Sequence, residues 1–130
     1  SAAGAGPPRL GLAVGARRPA RNSATGSALL AQLSAAEFDR LSRATKSEGA
    51  PGARETLRAR LAEVRERGWA SVADEADPGV GWIAMAVPPL GPSLRLAVAL
   101  RVPVDDGVRR AEALAALRRA GAEIERRAAR

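Results

Sequence analysis

Apolar residues recur at two different periods along this chain, and the change of period separates helical from extended stretches. From Arg54 onward, Leu57, Leu61 and Val64 fall at i, i+4 and i+7, while Arg58, Glu63, Arg65 and Arg67 occupy the other faces. That spacing predicts an amphipathic helix. Glu63 and Arg67 stand four apart in the favourable order, and Gly68 can adopt the left-handed stop. A closing helix is predicted from Asp105 and Asp106, whose carboxylates suit the positive end of the helix dipole, with Ala111, Leu114, Leu117, Gly121 and Ile124 as its buried stripe. Two shorter helices come earlier. Asn22 or Ser23 caps one that runs through Leu33, because a side-chain oxygen there accepts from the free N–H groups of the first turn. Ser34 and Glu37 form a capping box for the next, anchored by Phe38 and Leu41, and Lys46 to Gly52 reads as a loop.

The period shortens to two between the last two helices. Strands are predicted at Trp69 to Ala73, Val80 to Val87 and Ser93 to Val102, with a further short strand suggested by Leu10, Leu12 and Val14 ahead of a basic loop from Gly15 to Asn22. The links, Asp74 to Gly79 and the Pro88, Pro89, Gly91, Pro92 turn, are too short for a helical crossover, so neighbouring strands are antiparallel. An antiparallel meander flanked by helices from both ends of the chain belongs to the α+β class.

Parity within the strands is the most informative feature. Leu94, Leu96, Val98, Leu100 and Val102 point to one side and form a core face, whereas Arg95, Ala97, Ala99 and Arg101 point to the other. In the preceding strand Ile83, Met85 and Val87 share one parity and Trp82, Ala84 and Ala86 the other. If the two strands pair large with large, Ala84, Ala86, Ala97 and Ala99 come together in a patch without bulk. Such a patch either receives a close-packed backbone, from a helix or a dimer partner, or leaves room for a small ligand rimmed by Trp82, Arg95 and Arg101. An arginine beside a small apolar recess suits a carboxylate or phosphate, because its planar fork donates two parallel hydrogen bonds. Arg101 could equally pair with Glu75 or stay in water.

Composition narrows the functions. The 130 residues, 46% apolar, suffice for one domain and contain no run long enough to span a membrane. Residues 1–9 read as a disordered leader: Ser1 to Pro8 lacks the apolar stretch of a secretory signal. With no Cys and no His, disulfides, thiolate metal sites and Ser-His-Asp chemistry are excluded and a zinc site is disfavoured. The formal charge of +7 raises the prospect of nucleic acid, but 20 of the 21 basic residues are Arg and Ala occurs 31 times, the composition expected of a GC-rich coding genome. Only 2% of residues are aromatic, so stacking platforms for single strands are lacking. Asp74, Glu75 and Asp77 could in principle serve acid–base work or hold a hard cation, but Asp77-Pro78-Gly79 is turn chemistry. No catalytic residue, metal or cofactor is assigned, and the chain is not expected to be an enzyme.

The order of these segments resembles a known family. Ser23-Ala24-Thr25-Gly26-Ser27-Ala28-Leu29-Leu30-Ala31, preceded by Gly15 and Pro19, is similar to the "G…P…TAxGKALLA" segment of IclR-type effector-binding domains. Ser34 to Leu41, Leu57 to Trp69, Glu75 to Val87 and Leu96 to Pro103 match further motifs of that domain in the same order. Ser27 stands where the family usually has lysine. Nothing in these 130 residues corresponds to the front strands of the domain or to a winged helix-turn-helix, so residues 10–130 are expected to be a partial effector-binding domain. The resemblance implies a GAF-like fold, a cytoplasmic sensor of a small organic effector, and homodimer or tetramer contacts. It also implies DNA binding only through an N-terminal domain, and no membrane partner. Positions matching Ala86, Ala99 and Arg101 carry polar side chains in members that sense small acids, and Gly26 lies near the ligand by the same analogy. With alanine at two of those three, a larger or more apolar effector is implied as readily as a small acid. The candidate ligand-binding set is therefore Gly26, Glu75, Trp82, Ala84, Ala86, Ala99 and Arg101. The rival reading is a free-standing basic module that binds nucleic acid or protein without a ligand, although its arginines spread over several helical faces.

Arginines without a reading element attract phosphates but do not discriminate bases, so this chain is expected to bind DNA weakly and lose that binding as salt rises. Titration of labelled duplexes measures this. A preference for one sequence above ~10-fold at physiological salt would contradict it, since specific binders exceed nonspecific ones by about 1,000-fold or more.

Overall fold

The computed structural model describes residue 20 and residues 23–44, 52–74, 76–92 and 94–129. The leader assigned to residues 1–9, the strand expected around Leu10, Leu12 and Val14, and most of the two loops at 15–22 and 46–52 lie outside the described residues. The elements run α1 (Ala24–Leu30), α2 (Ala35–Ala44), α3 (Ala53–Arg67), β1 (Ala70–Ala73), β2 (Val80–Ala86), β3 (Ala97–Pro103) and α4 (Gly107–Ala128). This is the α+β arrangement expected, with β1, β2 and β3 in an antiparallel meander of that order.

Local chemistry sets most of the boundaries. The Ser23 side chain accepts from the Gly26 N–H at 2.9 Å and opens α1. Ser34 and Glu37 form the reciprocal box at α2, at 3.1 and 2.9 Å. Gly68, at φ 90°, ends α3 with its N–H on the Val64 carbonyl, and Asp106 caps α4 through the Arg109 N–H. β3 begins at Ala97, and Leu94, Arg95 and Leu96, expected to belong to it, lie ahead of the strand. The Val87 N–H still reaches the Leu96 carbonyl, but Pro88 and Pro89 then offer no donor, so the ladder stops there.

The sheet register brings large side chains opposite large and small opposite small. Ile83 faces Leu100 and Met85 faces Val98, while Ala84 faces Ala99 and Ala86 faces Ala97. One sheet face is covered by α4: Ile83, Met85 and Val102 form a cluster with Ala113 and Leu117. The other face is covered by α1, where Ala24, Ala28, Ala70, Ala84 and Val64 form a second cluster. Behind α1, Leu30, Phe38 and Leu61 bind α2 and α3 into a third. The layers are therefore α4, the sheet, α1, and an outer layer of α2 and α3.

Several expectations need correction. α1 ends at Leu30, and residues 31–33 turn away instead of extending the helix, with the Gln32 amide donating to the Val87 carbonyl at 3.1 Å. Leu41 is exposed, because α2 meets the core only through the edge that carries Phe38. On α4 the helix is rotated so that Ala113 and Leu117 are buried and Ala111 faces solvent. Leu94, Leu96 and Leu100 are exposed as well, and none of them belongs to the cluster that Ile83, Met85 and Val102 form with α4. Arg67, expected to reach back to Glu63, instead lies over the Trp69 ring at 3.9 Å and donates to the Trp69 carbonyl.

Ala84 is 0% exposed and lies within one cluster with Ala24 and Ala28. Replacing it with leucine adds atoms where α1 and the sheet already touch, and Ala84→Leu is expected to cost about 1–3 kcal/mol in urea unfolding. An unchanged midpoint would show that α1 can lift from the sheet at little cost.

Candidate functional site

The alanine face predicted from strand parity exists, and it is partly filled. Ala24 and Ala28 of α1 pack on Ala70 and Ala84, so a helix backbone takes the central part of the patch. Ala86, Ala97 and Ala99 border that cluster and are half-buried, as is Trp82. The close-packed helix thus occupies the centre of the patch, and small side chains lie at its margin, packed against the same cluster.

Arg101 lies directly opposite Trp82 in the β2–β3 register, and Trp82 lies opposite Val72 in the β1–β2 register. The three residues share one sheet face, and so does Asp74, two residues beyond Val72. The Arg101 side chain crosses β2 above the Trp82 ring, its guanidinium carbon 5.8 Å from the ring centroid, and its Nη2 meets Asp74 Oδ2 at 3.0 Å. The pair is mostly shielded, with side-chain exposures of 27% for Arg101 and 14% for Asp74. The buried Nε of Arg101 has no acceptor among the described residues.

Asp74 is held from several directions. Its Oδ1 accepts from the Ala76 N–H at 2.8 Å and the Asp77 N–H at 3.3 Å, an Asx-type turn that starts the β1–β2 link. The Ala76 hydrogen bond, opposed by burial and aided by the Arg101 charge, holds the Asp74 carboxyl below its ordinary pKa, with Asp77 and the Trp82 side chain adding smaller hydrogen-bond contributions.

The other candidate residues fall in different places. Gly26 is buried on the side of α1 away from Ala24 and Ala28, where a methyl group would overlap the Ala20 carbonyl. It therefore serves a close backbone approach and does not reach the alanine face. Arg95 shares the parity of Arg101 but belongs to the other end of the face: its charge acts on Glu37, whose carboxyl is held low chiefly by its hydrogen bonds with Ser34. Glu75 lies outside the described residues. Asp74 was not among the candidate ligand residues, yet parity contained the signal for it, since a residue two beyond Val72 continues the face of Trp82 and Arg101. Among the described residues no group of three or more His, Cys, Asp or Glu could hold a metal ion. No helix among them is long and apolar enough to cross a membrane. A groove of about 490 Å³ runs between β3 and α4, and Arg101 lines it together with Arg109, Glu112 and Arg119, so its charge is mainly positive.

The family model of the bacterial transcriptional regulator IclR C-terminal domain matches residues 5–126. No curated protein matches the chain. Among solved structures, a transcriptional regulator from Rhodococcus sp. RHA1 is similar at 25% identity and a TM-score of 0.69, over 90% of this chain and 50% of that one. The C-terminal domain of the E. coli transcriptional regulator KdgR is similar at 24% identity and a TM-score of 0.67, over 85% and 71%. An IclR homolog from Microbacterium hydrocarbonoxydans, solved with 4-hydroxybenzoate, is similar at 22% identity and a TM-score of 0.67, over 94% and 50%. The latter two likenesses carry the fold alone. The chain spans about half the length of the first regulators it matches.

The lowered pKa of Asp74 sets the sign of a pH effect. A carboxyl depressed in the folded state contributes stability that is complete above the unfolded-state pKa and is lost as pH falls through the folded value. The stability gap between the unaltered chain and Asp74→Asn, measured in urea, is therefore expected to hold steady above about pH 5 and to close below about pH 4. A gap unchanged down to about pH 2 would show that Asp74 titrates alike folded and unfolded.

Proposed function

Because this chain belongs to the family of IclR C-terminal domains of bacterial transcriptional regulators, we propose that it is the effector-sensing part of such a regulator, binding a small organic molecule beside the margin of the alanine face. The observation that carries this reading is the half-buried Arg101 fork at one end of the alanine face, with Trp82 opposite it and Ala99 the nearest alanine. Side chains without bulk admit an apolar body, and a guanidinium beside them suits a carboxylate on that body. A fold relative solved with 4-hydroxybenzoate, an aromatic carboxylate, supports the same ligand class.

In this proposal residues 10–130 act as a partial effector-binding domain with no catalytic role. The sensor is cytoplasmic, and it works within a homodimer or tetramer whose DNA contacts come from another domain. Strands β1 and β3 are the edges of the described sheet, and unpaired strand edges favour pairing with, or covering by, further chain. Trp82, Ala86, Ala99 and Arg101 are the residues assigned to the ligand, together with Glu75, which follows Asp74 in the sequence. Ala84 and Gly26 act through the packing of α1, which limits the depth of the site.

A thermal-shift screen of small aliphatic and aromatic acids tests the proposal. A stabilising compound is expected, since free ligand at 100 times its Kd contributes about 2.7 kcal/mol to the folded state. Ala99→Leu should remove the response with little change in the melting temperature of the free protein, because the added atoms enter the space the ligand takes. The proposal fails if Ala99→Leu destabilises the chain by about 1–3 kcal/mol, as in an overpacked interior, and no compound stabilises the unaltered protein.

A further inference from the structure

The ion pair between Asp74 and Arg101 uses one nitrogen of the two that form one side of the guanidinium fork. Nε–H and the neighbouring Nη2 of an arginine point the same way and can take both oxygens of one carboxylate. Asp74 meets Nη2 only, through Oδ2, because its Oδ1 is committed to the N–H groups of Ala76 and Asp77. The Nε–H beside it is buried and finds no acceptor among the described residues. A buried donor without a partner raises the energy of the state that contains it, and a ligand that supplies the partner recovers that energy.

We propose that Asp74 is a built-in competitor for the effector: it holds Arg101 by one nitrogen in the free protein, and an effector carboxylate displaces it by taking Nε and Nη2 together. This rests on the effector reading above and adds the regulation of its site. Displacement costs little in backbone structure, since Oδ1 keeps its two turn hydrogen bonds while Oδ2 lets go. The freed Asp74 oxygen and the ligand lie on the same sheet face, against Trp82. Asp74 thereby sets the affinity threshold: a ligand needs a carboxylate that uses the whole fork in order to outcompete an acid already tethered there.

The test is calorimetry with sodium benzoate as the probe and benzamide as its neutral counterpart, on the full chain. Asp74→Asn retains an oxygen for the turn and removes the competing charge, so it is expected to bind benzoate at least about tenfold more tightly than the unaltered chain, the scale of one charge-assisted hydrogen bond. Asp77→Asn removes a nearby acid that does not pair with Arg101, and should change affinity by less than about twofold, as for an exposed charge screened by water. Arg101→Lys keeps the charge and loses the fork, and should abolish the gain when added to Asp74→Asn, whereas benzamide should respond to none of these changes. Equal or weaker benzoate binding by Asp74→Asn, or an equal gain from Asp77→Asn, overturns the competitor. If neither the unaltered chain nor Asp74→Asn binds benzoate, the competitor is also overturned, and a neutral compound that stabilises the chain in the thermal screen would leave the sensor reading standing. Circular dichroism of each variant confirms that it is folded.

Discussion

The close approach of α1 to the sheet is the constraint on which the other contacts depend. Ala24 and Ala28 on the helix meet Ala70 and Ala84 on the sheet, and methyl groups allow the two backbones to come nearer than leucine or valine would. That contact is buttressed from outside by Val64 and, further back, by Leu30, Leu61 and Phe38, which seat α2 and α3. Gly26 allows a second close approach on the far side of the same helix, to the Ala20 carbonyl. A helix of seven residues is too short to hold itself together in water, so α1 persists because its cap and both of its faces are engaged.

The same constraint shapes the proposed site. Because α1 covers the centre of the alanine face, only its margin, where Trp82 and Arg101 stand, is left for a ligand. Arg101 lies flat across β2, held by Asp74 at the far strand, so its charge is shielded from water without being deeply buried. A guanidinium in that position is already oriented, and ordering it on ligand binding carries less entropic cost than fixing a solvated side chain. The neighbouring turn is ordered by the same acid, through the opposite oxygen of its carboxylate. Sensor chemistry and turn structure therefore share one residue.

Much of the fold was legible because short-range chemistry dictates it. Ser23, the Ser34 and Glu37 pair, Gly68 and Asp106 act on their own neighbours within four residues; Ser23 caps α1 as one of the two residues expected there, and Asp106, expected with Asp105 to favour the helix dipole, caps α4. Strand parity has the same local origin: alternation fixes which side chains share a face, and pairing bulk with bulk is enough to set Ala84 opposite Ala99. Family membership was legible for a related reason, since the motifs follow these caps and strands in order.

What tertiary structure decided depends on distances that no local pattern encodes. Alternation made Leu94, Leu96 and Leu100 core candidates, but burial requires a covering element, and the cluster under α4 takes in Val98 and Val102 and none of these three leucines. The rotation that buries Ala113 in place of Ala111 follows from how α4 docks, because a helix with apolar residues on several sides can present more than one of them. The partner of Arg101 was left open between Glu75 and water. Asp74 proved to be a partner because the guanidinium spans two strands, a reach set by the registers of both strand pairs together. The sequence by itself determined the caps, the faces and the family. The occupant of the alanine face and the acid held by Arg101 were decided only when α1 and three strands came together, since each of those contacts joins segments that are distant along the chain.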